Sequence, residues 1–177
     1  GTAGVVPSLS LSYSSQNGDG FVGLDWSLTG LSAVTRCPRT LAQDSIHGSV
    51  NYDSNDQFCL DGQRLISTGS SPLCSGGVLF HTEIESFSRI VSCGSSGSGP
   101  AYFKVWTKAG QILELGNTSD SAVAVLSAGT STIPSGTIRE WVVNKISDVV
   151  GNYLTVTYSC TPTGGSCAGG AYPTRID

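Results

Sequence analysis

Apolar and polar residues alternate along most of this chain with a period of two, the pattern of strands that bury one face. The clearest run is Trp141 to Tyr158. Trp141, Val143, Lys145 and Ser147 fall on one face of a first arm, Tyr153, Val156 and Tyr158 lie in a second, and Asp148 to Asn152 makes the turn. Ser8 to Tyr13 alternates strictly and predicts a strand with Leu9, Leu11 and Tyr13 inward. Gln16-Asn17-Gly18-Asp19-Gly20 reads as a turn of residues that accept positive φ. Phe21 to Leu28 and Leu31 to Cys37 read as further strands. Ser54-Asn55-Asp56 is a turn before Phe58-Cys59-Leu60, and Asp61-Gly62 is a tight hairpin signal before Gln63 to Ile66.

Val78 to Ile84 follows a glycine pair and reads as a strand, and the Gly/Ser-rich stretch Cys93 to Pro100 as a surface loop. Ala101 to Thr107 and Gln111 to Leu115 form a hairpin across Lys108-Ala109-Gly110. Ser119 to Leu126 is the one segment with a helical reading, although Val and Ser dilute its propensity. The predicted class is all-β: an antiparallel meander of hairpins forming a curved sheet or sandwich-like domain, with little helix, as one domain over 1–177.

Composition agrees. Charged residues are 12% and Gly supplies 23 positions, which argues against coiled coil and charge-rich disorder. A net charge of -4 with scattered Lys and Arg gives no basic field for nucleic acid, and no run nears the roughly 18 apolar residues of a membrane helix. The chain begins Gly1-Thr2-Ala3-Gly4 and stops at Arg175-Ile176-Asp177 in what reads as a new strand, so a piece of a longer polypeptide is expected. Six cysteines suggest disulfides and an oxidising, extracellular setting. Cys160 and Cys167 bracket a Thr-Pro-Thr-Gly-Gly-Ser loop that a bridge would staple. Cys74 and Cys93 flank a hairpin-like segment, which leaves Cys37 with Cys59; other pairings stay open. Zinc lacks a Cys-x-x-Cys pair and paired histidines, and buried free thiols are the competing account.

Candidate chemistry is sparse. Asn17-Gly18-Asp19-Gly20 resembles part of a calcium loop, but Ser15 as its first position puts Trp26 where a bidentate carboxylate is needed. Glu83-Ile84-Glu85 on a strand would set two carboxylates on one face, as in mono-ADP-ribosyltransferases, with Arg64 and Ser67-Thr68-Gly69 upstream. Only roughly fifteen residues separate those elements, too few for a nucleotide cleft, and Gly69 stands where a third serine belongs. His47 and His81 sit in no nucleophile motif, and there is no Gly-x-Ser-x-Gly elbow. Trp26, Trp106 and Trp141 could face a glycan, but each lies in an alternating pattern, which favours core packing. No catalytic residue, metal ligand or cofactor is assigned.

Several segments carry a family resemblance. The order Ile146-x-Asp148-x-x-Gly151-Asn152-x-Leu154-x-x-x-Tyr158 resembles a unit of the Rhs/YD-repeat proteins, and 141–177 reads as one such hairpin with the start of the next. Pro7 to Ser15, then Gly23-Leu24-Asp25-Trp26-Ser27-Leu28 leading into Gly30-Leu31-Ser32, resembles the start of the SpvB-type domain of Tc-toxin B components and Rhs-related proteins. Asp56 to Leu65, Phe103 to Ile112 and Tyr172 to Asp177 are similar to further signatures of it. The Cys160–Cys167 insert and the loose Gly/Ser run at 94–99 depart from the pattern.

In that family, ribbons of hairpins coil into hollow shells that can enclose toxins. The resemblance therefore implies a secreted, non-catalytic structural module of a shell or docking base. Its partners would be the remainder of its own polypeptide and other toxin-complex subunits. The family's transferase, where present, lies in a separate C-terminal region. The rival readings are a binding module for surface glycans or a receptor, and an ADP-ribosyltransferase-like enzyme.

Overall fold

The computed structural model describes residues 5, 9–13, 19–20, 23–24, 26–84, 87–126, 133–163 and 166–177. Its N-terminal strands β1 (Ser10–Tyr13), β2 (Asp19–Gly20), β3 (Gly23–Leu24) and β4 (Trp26–Thr29) form two small antiparallel pairs, β1 with β4 and β2 with β3. β5 (Ala33–Cys37) opens the main sheet, and α1 (Leu41–Asp44) is a single helical turn. Then come β6 (Gln57–Leu60), β7 (Gln63–Ser71), β8 (Gly77–Thr82), β9 (Phe87–Cys93), β10 (Tyr102–Thr107) and β11 (Ile112–Leu115). From β5 to β11 each strand pairs antiparallel with the one before it. β12 (Ala122–Ala124), β13 (Ile138–Ser147), β14 (Tyr153–Thr163) and β15 (Ser166–Ile176) complete the order.

β13 closes the meander. Glu140, Trp141 and Val142 pair with Thr35, Val34 and Ala33 of β5, while Val143 and Lys145 to Ser147 pair with β11. β5 to β11 with β13 thus make an eight-stranded barrel-like ring, so the all-β antiparallel class stands and the curved sheet is shut on itself. Closure leaves no free edge around that ring. A second circuit runs β13–β12–β15–β14; its β12–β15 contact, Val123 beside Cys167 and Ala124 beside Ala168, is parallel.

Alternation fills the barrel. Phe80, Ile90, Val105, Leu113, Ile146 and Leu154 stand opposite one another on successive strands, and every one is buried. Phe58, Phe80, Phe103 and Trp141 meet at ring-centroid distances of 5.1 to 6.3 Å, mostly edge to face. Such pairs contribute about 1 kcal/mol each beyond the area they bury. The Trp141 indole N–H donates to the Ala101 carbonyl at 3.2 Å. Trp141 also dictates a neighbour: Gly116 has φ +76°, and a Cβ there would lie 2.3 Å from Trp141 Cδ1.

Five expectations are corrected. Lys145 does not share the face of Trp141 and Val143, because β13 advances from Lys145 to Val143 while β11 advances one residue, Glu114 to Leu115. This bulge leaves Asn144 as the extra residue and lets Val143 and Ile146 both point inward. Ser119 to Leu126 contains no helix; Ala122 to Ala124 are a strand, with β-competent Val123 buried between β13 and β15. The strand at Val78 stops at Thr82, so Glu83 and Ile84 lie in a bend. The Cys160–Cys167 segment continues β14 and β15 on both sides, to Thr163 and from Ser166, instead of forming a loose loop. Leu9 is 38% exposed and not inward; the turn residues Gln16 to Gly18 lie outside the described residues.

Candidate functional site

The sequence flagged one place where Arg64 and the Glu83 segment could meet, and the fold does bring them together. A cleft of about 400 Å³ is lined by Cys37, Cys59, Gln43, Arg64, Glu83 and Ile84, among others. Antiparallel pairing of β5 with β6 places the two cysteines side by side, and the Asp61-Gly62 turn starts β7 at its rim. Both turn residues have positive φ, 48° and 81°, which suits a two-residue hairpin connection.

Arg64 is spoken for. Its Nη1 donates to the Pro38 carbonyl at 3.2 Å and its Nη2 pairs with Asp44. The other Asp44 oxygen accepts the Thr40 N–H at 2.9 Å. That backbone bond first, and Arg64 after it, hold the Asp44 carboxyl below its ordinary range. Gln43 Nε2 donates to Glu83 at 2.9 Å. The polar groups of this cleft therefore tie the turn of α1 to β7 and to the bend after β8. Ser67 is exposed on β7 and does not line the cleft, and Glu85 lies outside the described residues.

A second cleft, about 590 Å³, is lined by Glu114, Asn117, Asp120, Asn144, Lys145 and Tyr158, with others. It sits where β14 leaves β13. Asp120 accepts the Tyr158 N–H at 2.8 Å, and the Tyr158 hydroxyl donates to the Val143 carbonyl at 2.6 Å. Burial, then the nearby carboxylates Asp120 and Glu140, push that phenol far above its usual range.

Sequence reasoning missed the most deeply buried ion pair among the described residues. Arg36 Nη1 meets Asp56 at 3.0 Å with both side chains almost wholly enclosed, and Nε donates to the Ile138 carbonyl at 2.7 Å. Nη1 also reaches the Asp53 carbonyl at 3.0 Å, and the guanidinium lies 5.7 Å from the Phe58 ring centroid and 5.9 Å from that of Trp141. Only the inward position of Arg36 in the alternation of β5, between Val34 and the strand's end, could have signalled it.

The remaining sequence candidates separate. Disulfides join Cys37 to Cys59, Cys74 to Cys93 and Cys160 to Cys167. Trp141 is 0% exposed and is withdrawn as a ligand-facing aromatic, its ring being the centre of the core. Trp106 is half-buried on the outer face, with the Arg89 guanidinium 5.7 Å from its ring centroid. Of Trp26 only the backbone is described, opposite Tyr13. His47 and His81 are both exposed. Among the described residues no three His, Cys, Asp or Glu side chains gather as a metal site, and no helix is long and apolar enough to cross a membrane.

Residues 1–72 match the family model described as Salmonella virulence plasmid 65kDa B protein, SpvB. The resemblance to SpvB-type domains read from Pro7 to Ser32 and from Asp56 to Leu65 falls within that span and stands. No curated protein sequence matches the chain. The N-terminal domain of effector protein SpvB from Salmonella typhimurium strain LT2 superposes with a TM-score of 0.69 at 18% identity, over 96% of this chain and 58% of that one. The Photorhabdus luminescens Tc holotoxin pore gives 0.66 at 16% identity over 98% of this chain, and TcdB2-TccC3-TEV gives 0.70 at 15% over 98%. This chain spans 8% and 9% of those two toxin chains. At such identities the shared property is the fold.

Proposed function

We propose that this barrel is a structural module of a secreted toxin-delivery protein, contributing to a β-rich shell or docking base around a toxic cargo. The observation that carries the reading is the fold likeness over nearly the whole chain to parts of Tc assemblies and to the SpvB N-terminal domain. The SpvB model over residues 1–72 supports the same direction independently of shape. A non-catalytic role is supported by the bonds that engage Arg64, Asp44, Gln43 and Glu83 and fasten the turn of α1 to its neighbours. The remainder of its own polypeptide and other toxin-complex subunits are the partners. Among the described residues β15 has a strand neighbour on one side only over Thr174–Ile176, which offers a place for a further strand to join.

The test is electron cryomicroscopy and limited proteolysis of the natural polypeptide that carries this segment. The reading expects the barrel within a wall around a lumen, with the enclosed segment protected from protease. A barrel hanging on a tether beside an unprotected cargo would sink it. A second reading, binding of a surface glycan, is favoured by one observation: an ordered row of aromatic and cationic side chains on the outside of the barrel.

A further inference from the structure

Residues directly opposite across paired strands share a face, so the registers define rows on the outside of the barrel. One row reads Arg89, Trp106, Ile112, Ser147, Tyr153 across β9, β10, β11, β13 and β14. The next, two residues along each strand, reads Val91, Lys104, Glu114, Lys145, Thr155, with Val91 covered over and the row open to solvent only from Lys104 onward. The bulge at Asn144 makes this possible, because it turns Lys145 and Ser147 outward beside Glu114 and Ile112.

Each end of this face carries a cation against a ring. Arg89 lies 5.7 Å from the Trp106 centroid, and Lys145 Nζ lies 4.7 Å from the Tyr153 centroid. Tyr153 is 54% exposed. Three strand steps separate Trp106 from Tyr153, roughly 14 Å at the usual strand spacing. Ile112 and Ser147, both half-buried, lie between them.

The charge on this face opposes that of the molecule. The chain is net -4, and its lysines are Lys104, Lys108 and Lys145. Lys104 and Lys145 stand in the second row and Lys108 in the turn between β10 and β11 at its end. The two rows hold three cations, Arg89, Lys104 and Lys145, against one carboxylate, Glu114, which pairs with Lys104 at 3.5 Å. By contrast Arg36 and Arg64 are spent in internal ion pairs.

We propose that this outer face binds an anionic polysaccharide laid across the strands. Sugar rings would stack at Trp106 and Tyr153, and carboxylate or sulfate groups would be met by Arg89 and Lys145. One cation stands over a ring at each end of the row, which suits a chain that carries charged groups between its pyranose faces; cations held over rings are already partly positioned. The assignment rests on the glycan reading and adds the class of glycan.

The test is isothermal titration of the 177-residue chain with a hexamer of galacturonic acid and with its methyl ester, which keeps the rings and removes the charge. The acid is expected to bind, the ester about tenfold or more weaker, and Trp106→Ala and Tyr153→Ala each to weaken the acid about tenfold with unchanged thermal melting. Lys145→Gln should lower both affinity and its salt dependence. Equal binding of acid and ester would overturn the anionic assignment while leaving a glycan site. Binding that ignores both aromatic variants would reduce the face to a diffuse charge effect and overturn the proposal, as would no binding at all. None of these outcomes bears on whether the barrel forms part of a shell.

Discussion

At the scale of single residues, the barrel depends on a few side chains that could not be exchanged for near relatives. Gly116 combines a positive φ with contact against Trp141. Gly116→Ala is expected to cost about 3 kcal/mol, from backbone strain together with displaced core packing, read as a lowered midpoint in urea unfolding. Arg36 is a buried charge whose partners come from three segments, Asp53 with Asp56, Ser98, and Ile138. Arg36→Met strands the Asp56 carboxylate and should cost about 3–5 kcal/mol, whereas pairing it with Asp56→Leu should recover part of the loss. Asp148 accepts from Asn152 Nδ2 at 2.8 Å and from the N–H groups of Val150 and Asn152, and these bonds, Asn152 first, lower its pKa. A carboxyl lowered on folding stabilises fully above the unfolded value, and that support disappears as pH falls through the folded one. Urea midpoints between neutral and acid pH should therefore drop less in Asp148→Asn than in the parent chain.

At the scale of elements, periodicity was a good guide wherever one face is buried and water wets the other. The hairpins Phe58–Ile66, Ala101–Leu115 and Trp141–Tyr158 could be read from alternation and turn residues, and all three are present. What escaped was decided by partners distant in sequence. Ser92, Ile90, Val91 and Cys93 in β9 are buried on both faces, so no alternation marks them. Ala122 to Ala124 are too short a strand to show a period and exist because β13 and β15 flank them. The bulge at Asn144 is a local slip that no two-residue pattern contains. The clefts were legible only in Arg64 and Glu83; Gln43 and Asp44 join through a turn with no motif. The disulfide Cys160–Cys167 sits where β14 and β15 meet β12, and Cys167 is fully buried there. Replacing both cysteines by serine should cost about 2 kcal/mol and speed amide exchange in 166–170 before the barrel strands.

At the scale of the molecule, the ring and the smaller circuit share β13, and one apolar cluster runs through both. Trp141 and Val143 of β13 are fully buried, Ile138 is buried opposite Ala124 of β12, and the Val142 N–H donates to the Ser121 carbonyl. A destabilising change in β13 is therefore expected to melt the two circuits together, and a change in β15 to loosen only the smaller one. Amide exchange of Trp141→Phe and Ile176→Ala variants would check this: common loss of protection in the first, loss confined to β14 and β15 in the second.

Because β13 is the closing strand, the barrel is also a matter of time. The bond from Arg36 to the Ile138 carbonyl spans 102 residues of sequence. At translation rates of about 5–20 residues per second, β5 waits on the order of ten seconds for its partner to be made. Throughout that interval β5 is a bare edge, joined by β11 once that strand is made, and each is able to recruit a neighbouring chain. Ribosome-bound chains halted after Gly136 should accordingly be captured by a strand-binding chaperone far more than chains extended past Ser147. The shape that seals every edge in the finished ring thus makes the growing chain dependent on protection until its last barrel strand emerges.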